Sequence, residues 1–376
     1  MAPLLRHFYL RATVSMQNGY ISVKFGAGCS SRPIIAYICR SNPAKKPLTY
    51  INDMNKIGII CIISITLLAV VLAACATTQS EKKAAEGTYD GELNILMLSD
   101  AGRNGSYDQR LIGEWMGVYA DELGPEFVIS CGDLFHYEGI QSTRDPLLWS
   151  NFESIYSHGE LQCPWYGVLG NHEYRGNTQA MMDYTEVSRR WNMPDRYYTF
   201  SVPLDDEVAD SERVRFVFID TTPLIGKYRA EQAKYPDVQL VDPDTEVRWI
   251  DSVLCASNEK WKIVVGHHPM YTYDGKDDCE QEDMRARLEE IFRRNSVDAY
   301  FCGHIHTFQH IRTGQDSIDY VVNTSASKQR APQRGPLTQY AGENSGFGLL
   351  SFDEGTMHYT LVNSRGEREY EIERRK

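Results

Sequence analysis

From residue 92 onward, short apolar runs alternate with longer segments whose apolar positions recur every three or four residues. The short runs predict buried strands at 93–98, 126–130, 165–169, 197–202, 214–219, 262–265, 298–301, 320–323, 346–352, 357–363 and 370–372. The longer segments predict helices at 107–122, 146–157, 177–190, 244–256 and 281–294. The charged stretch 225–243 is expected to be a surface loop. This order predicts an α/β domain in which two sheets pack together and are flanked by helices.

Five blocks of polar residues directly follow five of these apolar runs. They are Ser99-Asp100-Ala101-Gly102, Gly132-Asp133, Gly170-Asn171-His172, Gly266-His267 and Gly303-His304-Ile305-His306. The ends of strands are where α/β sheets place ligands, and carboxylate, amide and imidazole groups bind divalent metals. An isolated Asp at a strand end is often only a turn or cap residue. Together, however, the five blocks predict a two-metal phosphoester hydrolase.

Residues 54–75 are typical of a bacterial export signal. Met54-Asn55-Lys56 gives a basic start, an apolar stretch follows, and Leu72-Ala73-Ala74-Cys75 resembles a lipoprotein cleavage site. We expect Cys75 to be lipidated, which would anchor the protein to a membrane of the bacterial cell envelope, on its periplasmic or outer-membrane face. The alternative is an uncleaved membrane helix, because the stretch is almost long enough to span a bilayer.

A signal should begin a chain, and here residues 1–53 precede it. The expected explanation is a start assigned too early, with Met54 as the true start and the prefix disordered. The polar residues 76–91 are expected to link the anchor to the domain at 92–376.

The chain is acidic, with a formal net charge of −12 at pH 7. Residues 1–74 are mostly basic where charged, so the remainder is more acidic still. Such a surface argues against nucleic acid as the partner. Export permits disulfides, and Cys255 and Cys279 are the better candidates for a pair. Cys131 and Cys302 follow apolar runs and are expected to be buried.

Residues around the polar blocks carry a resemblance to a known family. The motifs are Pro164-Trp165-Tyr166, Gly170-Asn171-His172-Glu173, Arg189-Arg190-Trp191-Asn192, Tyr300-Phe301-Cys302-Gly303-His304 and Gly346-Phe347-Gly348. With them, the sequence resembles the calcineurin-like metallophosphoesterase superfamily and, within it, the tartrate-resistant (purple) acid phosphatases. The resemblance runs from about residue 93 to the end. It implies a two-sheet β-sandwich flanked by helices, in four layers (α/β/β/α).

The resemblance also implies two bound metal ions. One ion would be bound by Asp100, Asp133 and His306. The second would be bound by Asp133, Asn171, His267 and His304, so that Asp133 bridges the pair. A metal-bound hydroxide would attack the phosphorus of a small phosphoester in line, and His172 would protonate the leaving group as general acid.

One position departs from the family pattern. The family has a Tyr ligand three residues after the bridging Asp, and this chain has His136 there, followed by Tyr137. Three interpretations remain open. His136 binds a metal ion through a ring nitrogen, or it contacts the substrate or a metal-binding residue instead, or a shifted backbone lets Tyr137 bind the metal ion. Loss of a phenolate disfavours Fe³⁺. We therefore expect two divalent ions, Zn, Mn or Fe, and no purple colour.

Three further residues are candidates for substrate contacts. His268 follows the ligand His267, and Tyr174 and Arg175 follow His172. By contrast, His310 is expected to be structural.

Two rival functions remain. A phosphodiesterase or nucleotide hydrolase could use the same scaffold, and a surface protein could keep the metal site without catalysis. The predicted function is an acid-phosphatase-like phosphomonoesterase.

Overall fold

The computed structural model describes residues 10–17, 20–27, 34–38, 88–204, 212–275 and 278–376. The chain divides into two units, Met1–Ala76 and Thr77–Lys376. The first unit contains one antiparallel sheet of three strands: β1 (Leu10–Gln17), β2 (Tyr20–Ala27) and β3 (Ile34–Ile38). These strands lie within residues 1–53, for which a disordered prefix is expected from the sequence. Along β2, apolar and polar residues alternate with the period of a strand.

The predicted export signal at 54–75 lies outside the described residues. The predicted linker 76–91 also lies outside them, except for residues 88–91. Among the residues that the structure describes, no helix is both long enough and apolar enough to cross a membrane.

The second unit is built on two seven-stranded sheets. Sheet I has, in spatial order, β17 (Arg368–Arg375), β16 (Thr356–Asn363), β15 (Gly346–Phe352), β4 (Leu93–Leu98), β5 (Phe127–Ser130), β6 (Trp165–Gly167) and β7 (Trp191–Asn192). Sheet II has β14 (Thr338–Gly342), β12 (Phe308–Ile311), β13 (Asp319–Val322), β11 (Ala299–Cys302), β10 (Trp261–Val265), β9 (Arg213–Phe218) and β8 (Tyr198–Pro203). Strands β4 to β7 run parallel to one another, as do β9, β10, β11 and β13.

Helices connect the parallel strands. They are α1 (Gln109–Leu123), α2 (Pro146–Leu148), α3 (Thr178–Asp183), α4 (Gly226–Ala230), α5 (Pro243–Ala256) and α6 (Cys279–Arg294). Local sequence explains the ends of the long helices. Helix α1 stops at Gly124, which adopts φ 57°, a conformation that glycine allows without steric cost. Helix α5 begins at Asp242, whose carboxylate accepts the N–H of Thr245, and has Pro243 in its first turn.

Aromatic side chains fill the space between the two sheets. Phe127 of sheet I meets Phe216 of sheet II edge to face, with ring centroids 5.5 Å apart. Farther along, Phe301 of sheet II lies 5.4 Å from Tyr359 of sheet I. Such aromatic contacts bury a large apolar area and fix the spacing of the layers. The predicted two-sheet sandwich flanked by helices is therefore confirmed.

Several predicted elements differ in detail. The helix predicted at 146–157 is the short α2 followed by a π-helical turn, Trp149–Glu153. The helix predicted at 177–190 ends at Asp183, and the loop predicted at 225–243 contains helix α4. Strands β12 and β14 were missed, because their short segments show no alternation and acquire strand geometry by pairing with each other and, for β12, with β13.

The cysteines of the domain form no disulfide with one another. Cys131 and Cys302 are buried, as predicted. Cys255 and Cys279 are not joined to each other, so the expected disulfide between them is wrong. Cys255 is exposed near the end of α5, while Cys279 begins α6.

Candidate metal centre

Neighbouring parallel strands bring the polar blocks to one place. Asp100, Asp133 and Asn171 follow β4, β5 and β6, which pair in register in sheet I. His267 and His304 follow β10 and β11, which pair in the same way in sheet II. The carboxyl ends of parallel strands lie at one edge of a sheet. The packed sheets therefore present Asp100, Asp133 and Asn171 from one side and His267 and His304 from the other.

The backbone is strained where these side chains leave the strands. Asp100 (φ 51°), Asp133 (φ 53°), His304 (φ 76°) and His306 (φ 61°) adopt left-handed conformations that are costly for residues with a Cβ. Close contact explains a glycine in the same region. A Cβ at Gly303 would lie 1.6 Å from Ser99 Oγ, so only glycine lets the two strand ends approach. Strain of this kind clusters at functional sites.

One group of donor atoms surrounds the Asp100 carboxylate. His306 Nε2 lies 3.4 Å from Asp100 Oδ1, and the other ring nitrogen of His306 donates to the carbonyl of Lys328. Asp100 Oδ2 accepts hydrogen bonds from the hydroxyl of Ser99 and the backbone N–H of His304. Ligand atoms of Asp100, His136 and His306 lie within 4.8 Å of one another.

A second group surrounds Asp133. Its Oδ2 atom lies 3.3 Å from Nε2 of both His136 and His267. Its Oδ1 atom accepts the backbone N–H of His172 at 2.9 Å. Burial opposes ionisation, but the imidazoles of His267, His172 and His136 hold the pKa of Asp133 well below its usual range. Ligand atoms of Asp100, Asp133 and His267 also lie within 4.8 Å of one another, so the two groups are adjacent at Asp133.

The histidines are oriented by bonds to their other ring nitrogens. His267 Nδ1 bonds the carbonyl of Cys131 at 2.8 Å, which turns Nε2 toward Asp133. His304 is turned the other way, because its Nε2 bonds Glu280 Oε2 at 2.9 Å and leaves Nδ1 free. Partners of this kind fix the tautomer and the direction of a metal-binding imidazole.

The donor set fits bound metal ions. Buried polar atoms without a partner are rare in folded proteins. Here several are found together: Asp100 Oδ1, His136 Nε2, Asn171 Oδ1, His267 Nε2 and His304 Nδ1. They are the atoms that would bind metal, and they combine carboxylate, amide and imidazole donors. Such a mixed set suits Zn, Mn or Fe better than Ca or Mg, which prefer oxygen.

The structure distinguishes His136 from Tyr137. The ring of His136 is buried, with centroids 4.1 Å from His172 and 5.4 Å from His306. The side chain of Tyr137 is 67% exposed and lies under the guanidinium of Arg103. The interpretation that a shifted backbone brings Tyr137 to the metals is therefore wrong. His136 faces the cluster instead.

His172 lies at the edge of the cluster and reaches the cleft. Its Nδ1 donates to the Tyr137 carbonyl, and its Nε2 lies 3.9 Å from Asp133 Oδ2. Burial, more than any other influence, lowers the pKa of His172 to about 4. The His172 imidazole is thus close to the proposed metal ligands. Its ring nitrogens, however, are not among the buried atoms that lack a hydrogen-bond partner.

Two of the three predicted substrate contacts are not at the cleft. Tyr174 is fully buried and donates to Asp220, so the expectation that it lines the entrance is wrong. His268 is also fully buried, and its ring nitrogens bond Thr221 Oγ1 and Tyr228 Oη. His268 is therefore buried behind the site and is not exposed in the cleft. Arg175 does line the cleft, as predicted.

Sequence reasoning missed two glutamates. Glu173 is buried, and its carboxylate accepts the backbone N–H groups of Asp133, Phe135 and Gly170. Burial, above all, raises the pKa of Glu173 to about 8. Its position directly after His172 was a usable signal. Glu280 gave no such signal, because it reaches His304 only through the fold.

A cleft of about 480 Å³ opens beside the cluster. Asp133, Asn171, His172, His304 and His306 contribute to its wall. The rest of the wall includes the cations Arg175, Lys227, Lys234 and Arg330 and the acids Asp274 and Glu280. The cleft is therefore more positive than the acidic chain as a whole.

Comparison with known proteins assigns the family. Residues 93–308 match the family model described as calcineurin-like phosphoesterase. Together with the fold and the donor set, this match defines a metal-dependent phosphohydrolase with a dinuclear metal centre. The chain belongs to the calcineurin-like phosphoesterase family.

Relatives within the family are acid phosphatases. The chain is 32% identical to purple acid phosphatase 17 of Arabidopsis thaliana over 262 residues, which cover 66% of this chain and 72% of the relative. It is 30% identical to tartrate-resistant acid phosphatase type 5 of Homo sapiens over 264 residues, which cover 65% and 78%. The predicted resemblance to purple acid phosphatases is confirmed.

Solved structures support the fold. GAP50, the anchor in the inner membrane complex of Plasmodium, superposes with a TM-score of 0.65 at 19% identity, covering 75% of this chain and 88% of that one. Purple acid phosphatase PPD1 from yellow lupin (Lupinus luteus) seeds gives a TM-score of 0.53 at 14% identity, covering 75% and 53%.

Proposed function

We propose that the protein is a phosphomonoesterase of the acid phosphatase type. The observation that carries this proposal is the set of unpaired, buried Asp, Asn and His donor atoms that face one another beside an open cleft. The two relatives named above are acid phosphatases, which favours monoesters as substrates.

The ligands divide into two sets that share Asp133. Asp100, Asp133, His136 and His306 would hold one ion, and Asp133, Asn171, His267 and His304 would hold the other. We propose divalent Zn, Mn or Fe, because a neutral imidazole at position 136 replaces an anionic phenolate. When bound, such an ion pair supplies an activated water and neutralises charge on the phosphoryl oxygens. Elemental analysis of the purified protein tests the number and identity of the ions.

His172 is the proposed general acid. Its Nδ1 proton is committed to the Tyr137 carbonyl, so Nε2 is the atom that can give a proton to the leaving oxygen. The side chain is 14% exposed and lines the cleft, so a leaving group can reach it. The Tyr137 carbonyl holds the ring in place while the proton moves.

A two-substrate assay tests the reaction class. We expect the metal-loaded protein to hydrolyse p-nitrophenyl phosphate with a higher kcat/KM than bis(p-nitrophenyl) phosphate. A reversed preference would favour the phosphodiesterase or nucleotide hydrolase alternative. No hydrolysis of any phosphoester by protein that contains two metals per chain would favour a binding protein without catalysis.

We also propose that the protein is a lipoprotein of the bacterial cell envelope, anchored at Cys75 and linked to the domain at 92–376 by residues 76–91. The support is the sequence of 54–75, a basic start and apolar stretch ending in Leu72-Ala73-Ala74-Cys75. Residues 1–53 would then not belong to the mature protein. Expression in bacteria with radiolabelled palmitate tests this. The wild type should incorporate label and fractionate with membranes, and Cys75→Ser should do neither.

A further inference from the structure

The cleft wall next to His172 carries cations that the proposed reaction does not use. The Tyr137 carbonyl accepts hydrogen bonds from both His172 Nδ1 and Arg175 Nη1, the latter at 3.2 Å. Arg175 is therefore held beside the proposed general acid. A leaving group that takes a proton from His172 must lie close to this guanidinium.

The guanidinium of Arg175 has hydrogen-bond donors that are available to bind an anion. Its one hydrogen bond goes to a neutral carbonyl, its buried Nε has no partner, and no carboxylate pairs with it within the described part of the chain. Guanidinium groups bind carboxylates and phosphates through two parallel hydrogen bonds. An unpaired guanidinium on the wall of a substrate cleft is therefore suited to a negatively charged ligand.

Tyr235 joins Arg175 to a second cation. The guanidinium of Arg175 lies 5.7 Å from the centroid of the buried Tyr235 ring, and Lys234 Nζ lies 5.1 Å from the same centroid. The only ion pair of Lys234 among the described residues is a 3.5 Å contact with the exposed Glu231, which is worth little in water. Both cations thus line one side of the cleft.

The other charges of the cleft wall are paired or lie beside other residues. Lys227 is paired with Glu280 at 2.5 Å, and Glu280 is in turn paired with His304. Arg330 lies beside His306, since its backbone N–H bonds the His306 carbonyl, and burial together with the charge of Arg330 lowers the pKa of His306. Besides Asp133 and Glu280, the cleft wall has one more acid, Asp274, which also interacts with another residue. Of the cations on the cleft wall, Arg175 and its neighbour Lys234 are therefore the ones placed beside His172, where the leaving group departs.

We propose that the enzyme prefers phosphomonoesters whose leaving group carries a second anionic group, a carboxylate or a phosphate, and that Arg175 and Lys234 bind that group. This inference rests on the proposed phosphomonoesterase function. It assigns a specificity role to residues that bind no metal and transfer no proton.

Matched substrates test the preference. Glycerol 3-phosphate and 3-phosphoglycerate differ at one carbon, where a hydroxymethyl group replaces a carboxylate. Fructose 6-phosphate and fructose 1,6-bisphosphate test a phosphate in the same way. In at least one pair, we expect the substrate with the additional anion to have a kcat/KM at least about tenfold higher. The difference should arise mainly from a lower KM, and added salt should reduce it.

Variants test the residues. Arg175→Gln and Lys234→Gln should each lower the preference at least about threefold, with KM for the doubly anionic substrate rising most. Arg189→Gln is the matched control, because Arg189 is exposed and lies outside the cleft wall. It should leave the preference unchanged. Lys234 is exposed, so its variant is expected to fold even where Arg175→Gln does not.

The possible failures are distinguishable. If p-nitrophenyl phosphate is hydrolysed but the substrates of each pair have equal kcat/KM, the anion preference is overturned and the proposed function stands. An unchanged preference in both variants overturns the assignment to Arg175 and Lys234. If the metal-loaded enzyme hydrolyses no phosphomonoester at all, the proposed function itself fails.

Discussion

His136 Nε2 and Asp133 Oδ2 lie 3.3 Å apart, which places an imidazole where the family pattern has a phenolate. We expect the wild-type protein to lack a visible charge-transfer band in any oxidation state of bound iron. His136→Tyr, loaded with iron and oxidised, should gain such a band because a phenolate would then bind Fe³⁺. Absorption spectra of both proteins check this. A visible band in the wild type that disappears in Tyr137→Phe would contradict the placement of Tyr137 outside the cluster.

Asp133→Asn should lose both metal ions. The carboxylate lies between the two ligand sets, and an amide has one acceptor atom and no charge. We expect metal content to fall from about two ions per chain to well below one. Asp100→Asn provides the comparison, since Asp100 belongs to one set and its loss should affect one ion more than the other. Full metal content in purified Asp133→Asn would remove Asp133 as the bridge.

His172→Ala should keep its metals and lose turnover. A positioned general acid contributes about 10²- to 10⁴-fold to rate. The loss should be largest for alkyl phosphates, whose leaving groups need a proton, and smaller for p-nitrophenyl phosphate. Steady-state kinetics on both substrates, with metal content measured in parallel, provide the check. Equal losses on both would count against the role of His172.

Glu280→Gln should weaken metal binding about 10- to 100-fold, as loss of a carboxylate that orients a metal-binding imidazole usually does. Glu280 bonds the ring nitrogen of His304 that faces away from the cluster. Equilibrium competition with a chelator measures the affinity. Glu282→Gln is the matched control, since Glu282 is exposed on the first turn of the same helix. Unchanged affinity in Glu280→Gln would show that His304 needs no such partner.

Asp220 should make the protein less stable as the pH rises toward neutral. Burial, more than its other contacts, raises the pKa of Asp220 to about 7 from 3.8. Between these values the folded state keeps a proton that the unfolded state has lost. The contribution of Asp220 to stability is therefore complete below about pH 4 and is lost as the pH rises through about 7.

Asp220→Asn removes that titration and retains an acceptor for Tyr174. The free energy of unfolding of the wild type, relative to the variant, should fall by up to about 1.4 kcal/mol per pH unit between pH 4 and pH 7. Urea unfolding of metal-free protein at several pH values measures it. Parallel stability curves for the two proteins would contradict the raised pKa.

Sequence alone predicted the parts of the site that depend on local order. The strand pattern placed five ligands at sheet edges, because each comes within three residues of the end of an apolar run: Asp100, Asp133, Asn171, His267 and His304. Because the strands that precede them are parallel, the sheets bring these residues together at one end of the sandwich. The glutamate Glu280 could not be predicted, because it lies on a helix far from His304 in sequence.

The direction of neighbouring side chains was also beyond prediction. Residues Glu173–Arg175 form one turn of 3-10 helix, in which successive side chains point about 120° apart. Glu173 therefore turns to backbone amides, Tyr174 to the interior and Arg175 to the cleft. The sequence placed all three near His172, but the wrong assignment of Tyr174 shows that proximity does not give direction.

The division of the donor atoms between two sheets has a mechanical consequence. Asp133 extends from sheet I and His267 from sheet II, and their side chains meet across the end of the sandwich. An ion held by both would cross-link the two halves of the domain, and binding to the folded state alone raises stability with free metal concentration. The catalytic ions would thereby act as a clamp on the sandwich, and chelation would loosen the fold together with the activity.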